Sequence, residues 1–251
     1  MSALNDSDAP RFPSTLAPAP YYDGLTERIT ENLLPVFSKL FDLQTTSRIL
    51  ELASGNGLHS LVYSKAFSEL TIQPTECDSF NVKRINETCE QVQWNETRAS
   101  GVKEAIELDV MKEEDWKRVH TGCETSEENG EQFDLVIGHN FLHMIPFPEG
   151  ATAIFKGLSK HKLVSSSHGL VAFYGPFKHD DGFFSEGDRT FDEEISSRPS
   201  SYPLGLRSID ALGRIAQEEG FEFVEKVPMP KGNFVLIYKV QGTQYPDLKW
   251  K

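Results

Sequence analysis

Apolar residues recur at helical spacing over 24–42, where Leu25, Ile29, Leu33, Val36, Phe37, Leu40 and Phe41 predict an amphipathic helix. Pro35 lies inside it and predicts a kink or break, because proline has no N–H to donate. The pattern then changes. Arg48–Ala53 reads as a short buried strand running into Ser54-Gly55-Asn56-Gly57, and Leu58–Phe67 as a helix leaving that turn. Strands at Leu70–Thr75, Ala105–Leu108, Phe133–Gly138 and Gly169–Tyr174 alternate with helices at Phe80–Trp94 and Glu149–Leu163. A helix over Ser208–Gly220 closes on its glycine. Phe221–Val227 and Phe234–Val240 alternate apolar and polar positions and are able to pair antiparallel across residues 228–232.

Strand–helix alternation predicts an α/β fold, a mostly parallel central sheet with helices on both faces. The last two strands lack a helix between them, so one strand is expected to run antiparallel. Residues 1–20 hold Pro10, Pro13, Pro18 and Pro20 and predict an extended arm, with a single domain over 21–251. The polar run from Phe177 to Leu206 reads as a long loop, and loops of that length are usually functional. Two readings stand for it. One is a lid completed by Tyr21 and Tyr22; the other is a surface excursion with a short helix near Phe191–Ser196. Glu124, Glu127, Glu128 and Glu131 surround Asn129-Gly130 in an expected solvated loop.

Composition narrows the function classes. Of 251 residues, 38% are hydrophobic and 11% aromatic, enough for a core. Lys+Arg number 25 against 38 Asp+Glu, a net charge of −13. That balance argues against a nucleic-acid partner, which calls for clustered cations. Cys77, Cys89 and Cys123 match no disulfide framework or zinc spacing, so neither a metal nor an oxidising compartment is expected. The polar start of the chain does not read as a signal peptide, and no apolar run reaches the length of a membrane span. The expectation is a cytoplasmic protein without a membrane partner, with the nucleus left open and the oligomeric state unassigned.

The strongest local signal is Glu51-Leu52-Ala53-Ser54-Gly55-Asn56-Gly57-Leu58-His59. Gly55 and Gly57 permit a tight turn and close approach of a ligand, and the helix start beyond offers free N–H groups. The G-x-G-x-x-G order of a dinucleotide site is missing, as is the Lys-Ser/Thr of a P-loop. Glu51 would repel a pyrophosphate but accept from an amine or cation. Glu76, with Asp78 close behind, ends the second strand, where a carboxylate accepts ribose hydroxyls. Asp109 ends the third, placed to accept from an adenine amino group while Val110 packs on the ring. A plain strand–turn–helix junction with solvated acids remains the other reading of each residue alone. Acids at three successive strand ends favour a ligand, because such folds bind at the carboxyl edge.

These motifs resemble class I S-adenosylmethionine-dependent methyltransferases. More narrowly, the chain resembles the methyltransferase-like 26 family. The likeness runs through Arg48–His59, Gln73-Pro74 and Leu108-Asp109-Val110. It continues through Asn140–His143, Tyr174–Lys178, Phe191-Asp192, Gly205-Leu206-Arg207 and Met229-Pro230. It covers roughly residues 24–240. The resemblance implies a Rossmann-like fold and S-adenosyl-L-methionine as cofactor, with S-adenosyl-L-homocysteine as product. It implies that Glu51–Gly57, with Ala53 and Ser54 in it, holds the methionine moiety, Glu76 the ribose and Asp109 the adenine. Departures such as Asp188 and Leu204 lie outside the cofactor motifs.

Methyl transfer needs alignment of the acceptor and exclusion of water, and a general base where the acceptor carries a proton. His143 is the candidate base, a capping or core histidine being its other reading. Asn140 follows the fourth strand beside it, toward cofactor and acceptor alike, and Tyr174 follows the fifth. Tyr174, Phe177 and Lys178 are expected to line the acceptor pocket, or simply to pack; His59 contacts the cofactor or packs at the turn. The expected acceptor is a small molecule methylated on O, N or S. A protein methyltransferase and a non-catalytic S-adenosylmethionine-binding partner stand as alternatives, with NAD-linked oxidoreduction behind them.

Overall fold

A computed structural model describes residues 24, 26–41, 48–95, 101–121 and 132–245. The expected arm, Tyr21 and Tyr22, Cys123 and the 124–131 loop lie outside these. Contacts divide the chain into two compact units, residues 1–123 and 124–251.

The first unit opens with a π-helical turn, Ile29–Leu33, in which the Leu34 N–H donates to Ile29 O, five residues back. It passes into α1, Leu34–Phe41. Pro35 follows directly on the π-helical turn and has no N–H to donate; in place of the expected break, the helix runs on, with a widened turn before the proline. Phe37, Leu40 and Phe41 bury the apolar stripe, and Phe37 and Phe41 pack on Tyr63 at 5.5 and 5.1 Å between ring centres.

Then come β1 (Arg48–Leu52), α2 (Leu58–Ala66), β2 (Thr71–Glu76), α3 (Ser79–Asn95), β3 (Ile106–Glu107) and α4 (Glu113–Thr121). β1 pairs parallel with β2, Arg48 facing Thr71, and β2 with β3, Glu76 facing Glu107. β3 is shorter than expected because the Ala105 N–H goes to the Asn86 side chain, at 2.8 Å, and not to a strand.

The second unit contains β4 (Leu135–His139), α5 (Glu149–Lys160), β5 (Leu170–Lys178), α6 (Glu186–Ser196), β6 (Arg207–Ser208), α7 (Ile209–Glu218), β7 (Phe221–Pro228) and β8 (Asn233–Val240). β4 and β5 are parallel, with His139 facing Tyr174, while β5–β8 and β7–β8 are antiparallel. Phe155, Phe173, Phe221 and Tyr238 are buried here. The fold class is α/β as expected: a mostly parallel sheet, turned antiparallel by β8, with flanking helices.

The polar run 177–206 differs from the long loop that its composition predicts. β5 extends through Lys178, and α6 takes eleven of the residues beyond it. Ser185 caps α6, its Oγ accepting the Asp188 N–H at 3.1 Å, and Glu186 and Asp188 sit in the first turn, where the helix dipole favours acids. Among the described residues, no helix is long and apolar enough to cross a membrane.

Candidate functional site

Where β1 ends, three residues within five take left-handed backbone: Ala53 (φ 53°), Gly55 (φ 61°) and Gly57 (φ 78°). Two are glycines, which adopt it freely; Ala53 bears the strain of a side chain in that region. Hydrogen bonds from β2 over-determine the turn. Ser54 N donates to Thr75 O at 2.8 Å, and Ser54 Oγ accepts from Thr75 N at 3.2 Å. Gly57 N donates to Ser54 O at 2.9 Å. A Cβ on Gly57 would lie 3.1 Å from Ile85 on α3, so the turn packs tightly there. A Cβ on Gly55 would meet nothing within 4 Å.

Glu76 binds the turn from β2. Its Oε2 accepts the Gly55 N–H and its Oε1 the Cys77 N–H, each at 2.8 Å. Burial pushes its pKa up against these bonds. Glu51, 1% exposed, accepts a short hydrogen bond from Ser60 Oγ and lies 3.7 Å from His59 Nδ1. Its pKa is also raised, by burial first, with His59 and Ser60 opposing. His59 therefore faces the acid from the first turn of α2, its ring 6.3 Å from that of Tyr63.

Asp78 serves the structure directly. Its oxygens accept from Asn81 N and Nδ2 at 2.8 and 3.0 Å, capping α3. Asp109 is buried at the end of β3, its Oδ1 accepting from Met111 N at 3.1 Å and its own N–H donating to Asp115 Oδ2 at 2.9 Å. Trp116 Nε1 holds the Val110 carbonyl at 3.0 Å. Half-buried Val110 thus has a fixed backbone, with exposed Met111 beside it.

In the second unit, Asn140 takes φ 53° after β4, is exposed, and donates its N–H to Tyr174 O at 2.8 Å. Tyr174 is half-buried, its ring 6.3 Å from His139. Burial pushes the His139 imidazole down to about 3. His143 stands in a 3-10 turn, Leu142–Met144, buried and edge-on to Phe191 at 5.6 Å. Burial, then the charges of Arg207 and Arg198, push its pKa down to about 4. The ring is neutral near pH 7.

Within the first unit, the structure joins Glu51, Ser54, Gly55, Gly57, His59 and Glu76 into one bonded cluster; Asp109 and Val110 stand at the neighbouring strand end. Within the second, it joins Asn140 to Tyr174, and gives His143 a separate setting against α6. Sequence reasoning missed Ser60, Thr75 and Asp115, which anchor Glu51 and the Asp109 turn. The acids Glu113-Glu114-Asp115 just beyond a strand are a helix-start signal that could have flagged Asp115; Thr75 carried none.

The residues fit a sulfonium nucleoside on one observation in particular. The open space at Gly55 adjoins a buried carboxylate, Glu76, a hydrogen-bond acceptor of the kind that ribose hydroxyls need.

A strand–glycine turn–helix junction with acids at successive parallel strand ends belongs to a Rossmann-like α/β fold. The chain belongs to the family described as a protein of unknown function (DUF938), whose profile matches residues 21–240. Its fold is similar to that of an O-methyltransferase family protein from Burkholderia thailandensis, at TM-score 0.63 and 13% identity over 90% of this chain and 61% of that one. It is similar to human N-acetylserotonin methyltransferase in complex with SAM, at TM-score 0.62 and 12% identity over 88% and 55%. PH0226 protein from Pyrococcus horikoshii OT3 matches at TM-score 0.60 and 16% identity over 92% and 97%. This chain spans about three fifths of the length of the Burkholderia protein, 61%.

Proposed function

We propose that this chain is an S-adenosylmethionine-dependent methyltransferase, transferring a methyl group to an O, N or S nucleophile of a small-molecule acceptor. Its motifs resemble those of the methyltransferase-like 26 proteins, which supports the reading. The observation that carries the reading is the Glu51–Gly57 turn, opened at Gly55 and tied to the Glu76 carboxylate. Matches to solved methyltransferases, two of them described as bound to SAM and SAH, support it.

On this reading Glu51, Ala53, Ser54, Gly55, Gly57 and His59 surround the aminocarboxylate end, and Glu76 takes ribose hydroxyls. Asp78 acts by fixing α3 behind them. Asp109 takes the adenine amino group, with Val110 against the ring. The cofactor supplies a methyl group on a positively charged sulfur, open to displacement. The chain holds the acceptor in line and keeps it dry. Asn140 and Tyr174 orient it, and His143, neutral near pH 7, accepts a hydrogen bond or proton from its nucleophile.

Calorimetry tests the reading. S-adenosylhomocysteine should bind and NAD should not, and Asp109→Ala should weaken binding about tenfold or more, the scale of a lost buried hydrogen bond. Absence of binding, or binding indifferent to Asp109→Ala, would sink this placement of the site.

A further inference from the structure

The turn that carries His143 is held from far along the chain. Leu142 O accepts from Arg207 Nε at 3.0 Å, and His143 O from Gly205 N at 3.1 Å. Met144 O accepts from Tyr202 Oη at 3.2 Å, and Ile145 O from Arg207 Nη2 at 2.6 Å. Four successive carbonyls are thus bonded by one strap, Tyr202–Arg207. The strap is fastened in turn to α6: Leu206 N donates to Asp192 Oδ1, and Ser196 Oγ to Leu204 O at 3.0 Å. α6 also supplies Phe191, the ring against His143.

Arg207 is the centre of this arrangement. It is 7% exposed, its guanidinium lies over the Phe147 ring at 5.2 Å, and Nη2 donates a further bond to Pro203 O at 3.2 Å. Among the described residues it makes no ion pair, although the Asp192 carboxylate, bonded to the neighbouring Leu206 N–H, acts on it by charge. A buried cation bonded only to carbonyls is a costly way to gain stability, and apolar side chains of similar volume serve stability as well or better. What a guanidinium offers is a planar fork that fixes several acceptors at once.

We infer that Arg207 is a positioning residue for His143, its fork and the Tyr202–Arg207 strap fixing the backbone from which the imidazole is presented. The inference rests on the methyltransferase reading only for the use that His143 is given; its placement is testable without turnover. The polar run that its composition offers as a lid ends in a clamp. Arg207 and Arg198 are the charged groups acting on the imidazole, with Phe191 against its ring.

The test is NMR on the full chain, following the His143 imidazole titration and hydrogen exchange of the Met144 amide. Wild type should titrate at about 4. Arg207→Gln should move that midpoint upward and speed Met144 exchange about tenfold, the factor for a lost charged hydrogen bond. Arg207→Lys keeps the charge but not the fork, so exchange should quicken while the midpoint moves less. Tyr202→Phe removes one carbonyl bond and should speed exchange about threefold. If Arg207→Gln does not fold, the lysine and Tyr202 variants decide. Wild-type exchange in both, or in a folded Arg207→Gln, overturns the inference. Calorimetry with S-adenosylhomocysteine on the same samples reports separately on the cofactor reading.

Discussion

Glu51 and Gly55 in the first unit find their partners 9 and 21 residues away, at Ser60 and Glu76. Leu142 and Ile145 in the second find theirs 65 and 62 residues away, both on Arg207. The buried charges differ as well. The first unit buries carboxylates whose pKa values are raised, the second imidazoles whose values are lowered and a guanidinium. One turn is built by a strand–turn–helix–strand segment that closes on itself. The other is bare until a distant segment arrives. A locally closed turn keeps its shape from contacts within one short segment. A remotely clamped turn keeps its shape only while the distant segment is docked.

The comparison breaks most readily at the glycines. Gly57→Asp combines positive φ with a tight contact against Ile85; S-adenosylhomocysteine affinity should fall about 100-fold or more, with a lower Tm. Gly55→Ala meets no packing obstacle. It should cost about 1–2 kcal/mol of stability for its left-handed backbone, yet still weaken binding, because the methyl group occupies the open space. A large Tm loss with intact binding would invert the roles given to the two positions.

Glu76→Gln retains the shape but not the charge. Affinity for S-adenosylhomocysteine should drop about tenfold, as for a lost charge-assisted hydrogen bond, measured by calorimetry, while His143 titration in the other unit stays unchanged.

Acid separates the two sites by sign. His139 and His143 have pKa values lowered to about 3 and about 4, so the unfolded chain takes up protons first. Their contribution to stability is whole above about 6.5, the unfolded value, and is lost as pH falls from there toward 4. Glu51 and Glu76 have raised values, so their contribution is whole below the unfolded carboxylate range and is lost as pH rises through their folded values. Against the opposing change at Glu51 and Glu76, the Tm of wild type should lose more, or gain less, between pH 6.5 and 4 than that of His143→Asn. An equal slope would remove His143 as a buried neutral group.

The smallest expected effect lies at the helix caps. Asp78→Ala and Ser185→Ala each remove one cap and should cost about 1 kcal/mol in chemical denaturation, the first also loosening the segment after Glu76.

The sequence made the first site legible because its information is local. Apolar runs marked β1 and β2, glycines marked the turn, and acids at strand ends marked the candidate site. It did not reveal that Glu51 is fully enclosed, since Ser60 and Thr75 are ordinary helix and strand residues until folding brings them to it. The second site was half legible. His143 stood out by residue type, and Gly205-Leu206-Arg207 by resemblance, but nothing local joined them. Polarity also hid the extent of α6, of which only a short helix near Phe191–Ser196 was expected: its Ser185 cap and acidic first turn were readable, whereas its apolar face is thin, its buried residues being Asp188 and Ile195.

β5 runs on through Gly175–Lys178 after its pairing with β4 ends at Tyr174. An overhang of that kind leaves backbone groups open to another chain, which is how sheets recruit strangers and aggregate. Here β6 lies parallel against Phe177 and Lys178, so two residues of pairing blunt the exposed side. The arginine that grips the His143 turn opens that short strand. Loosening the grip should therefore free the backbone that β6 covers at Phe177 and Lys178, and light scattering of heated Arg207→Gln against wild type would read the change.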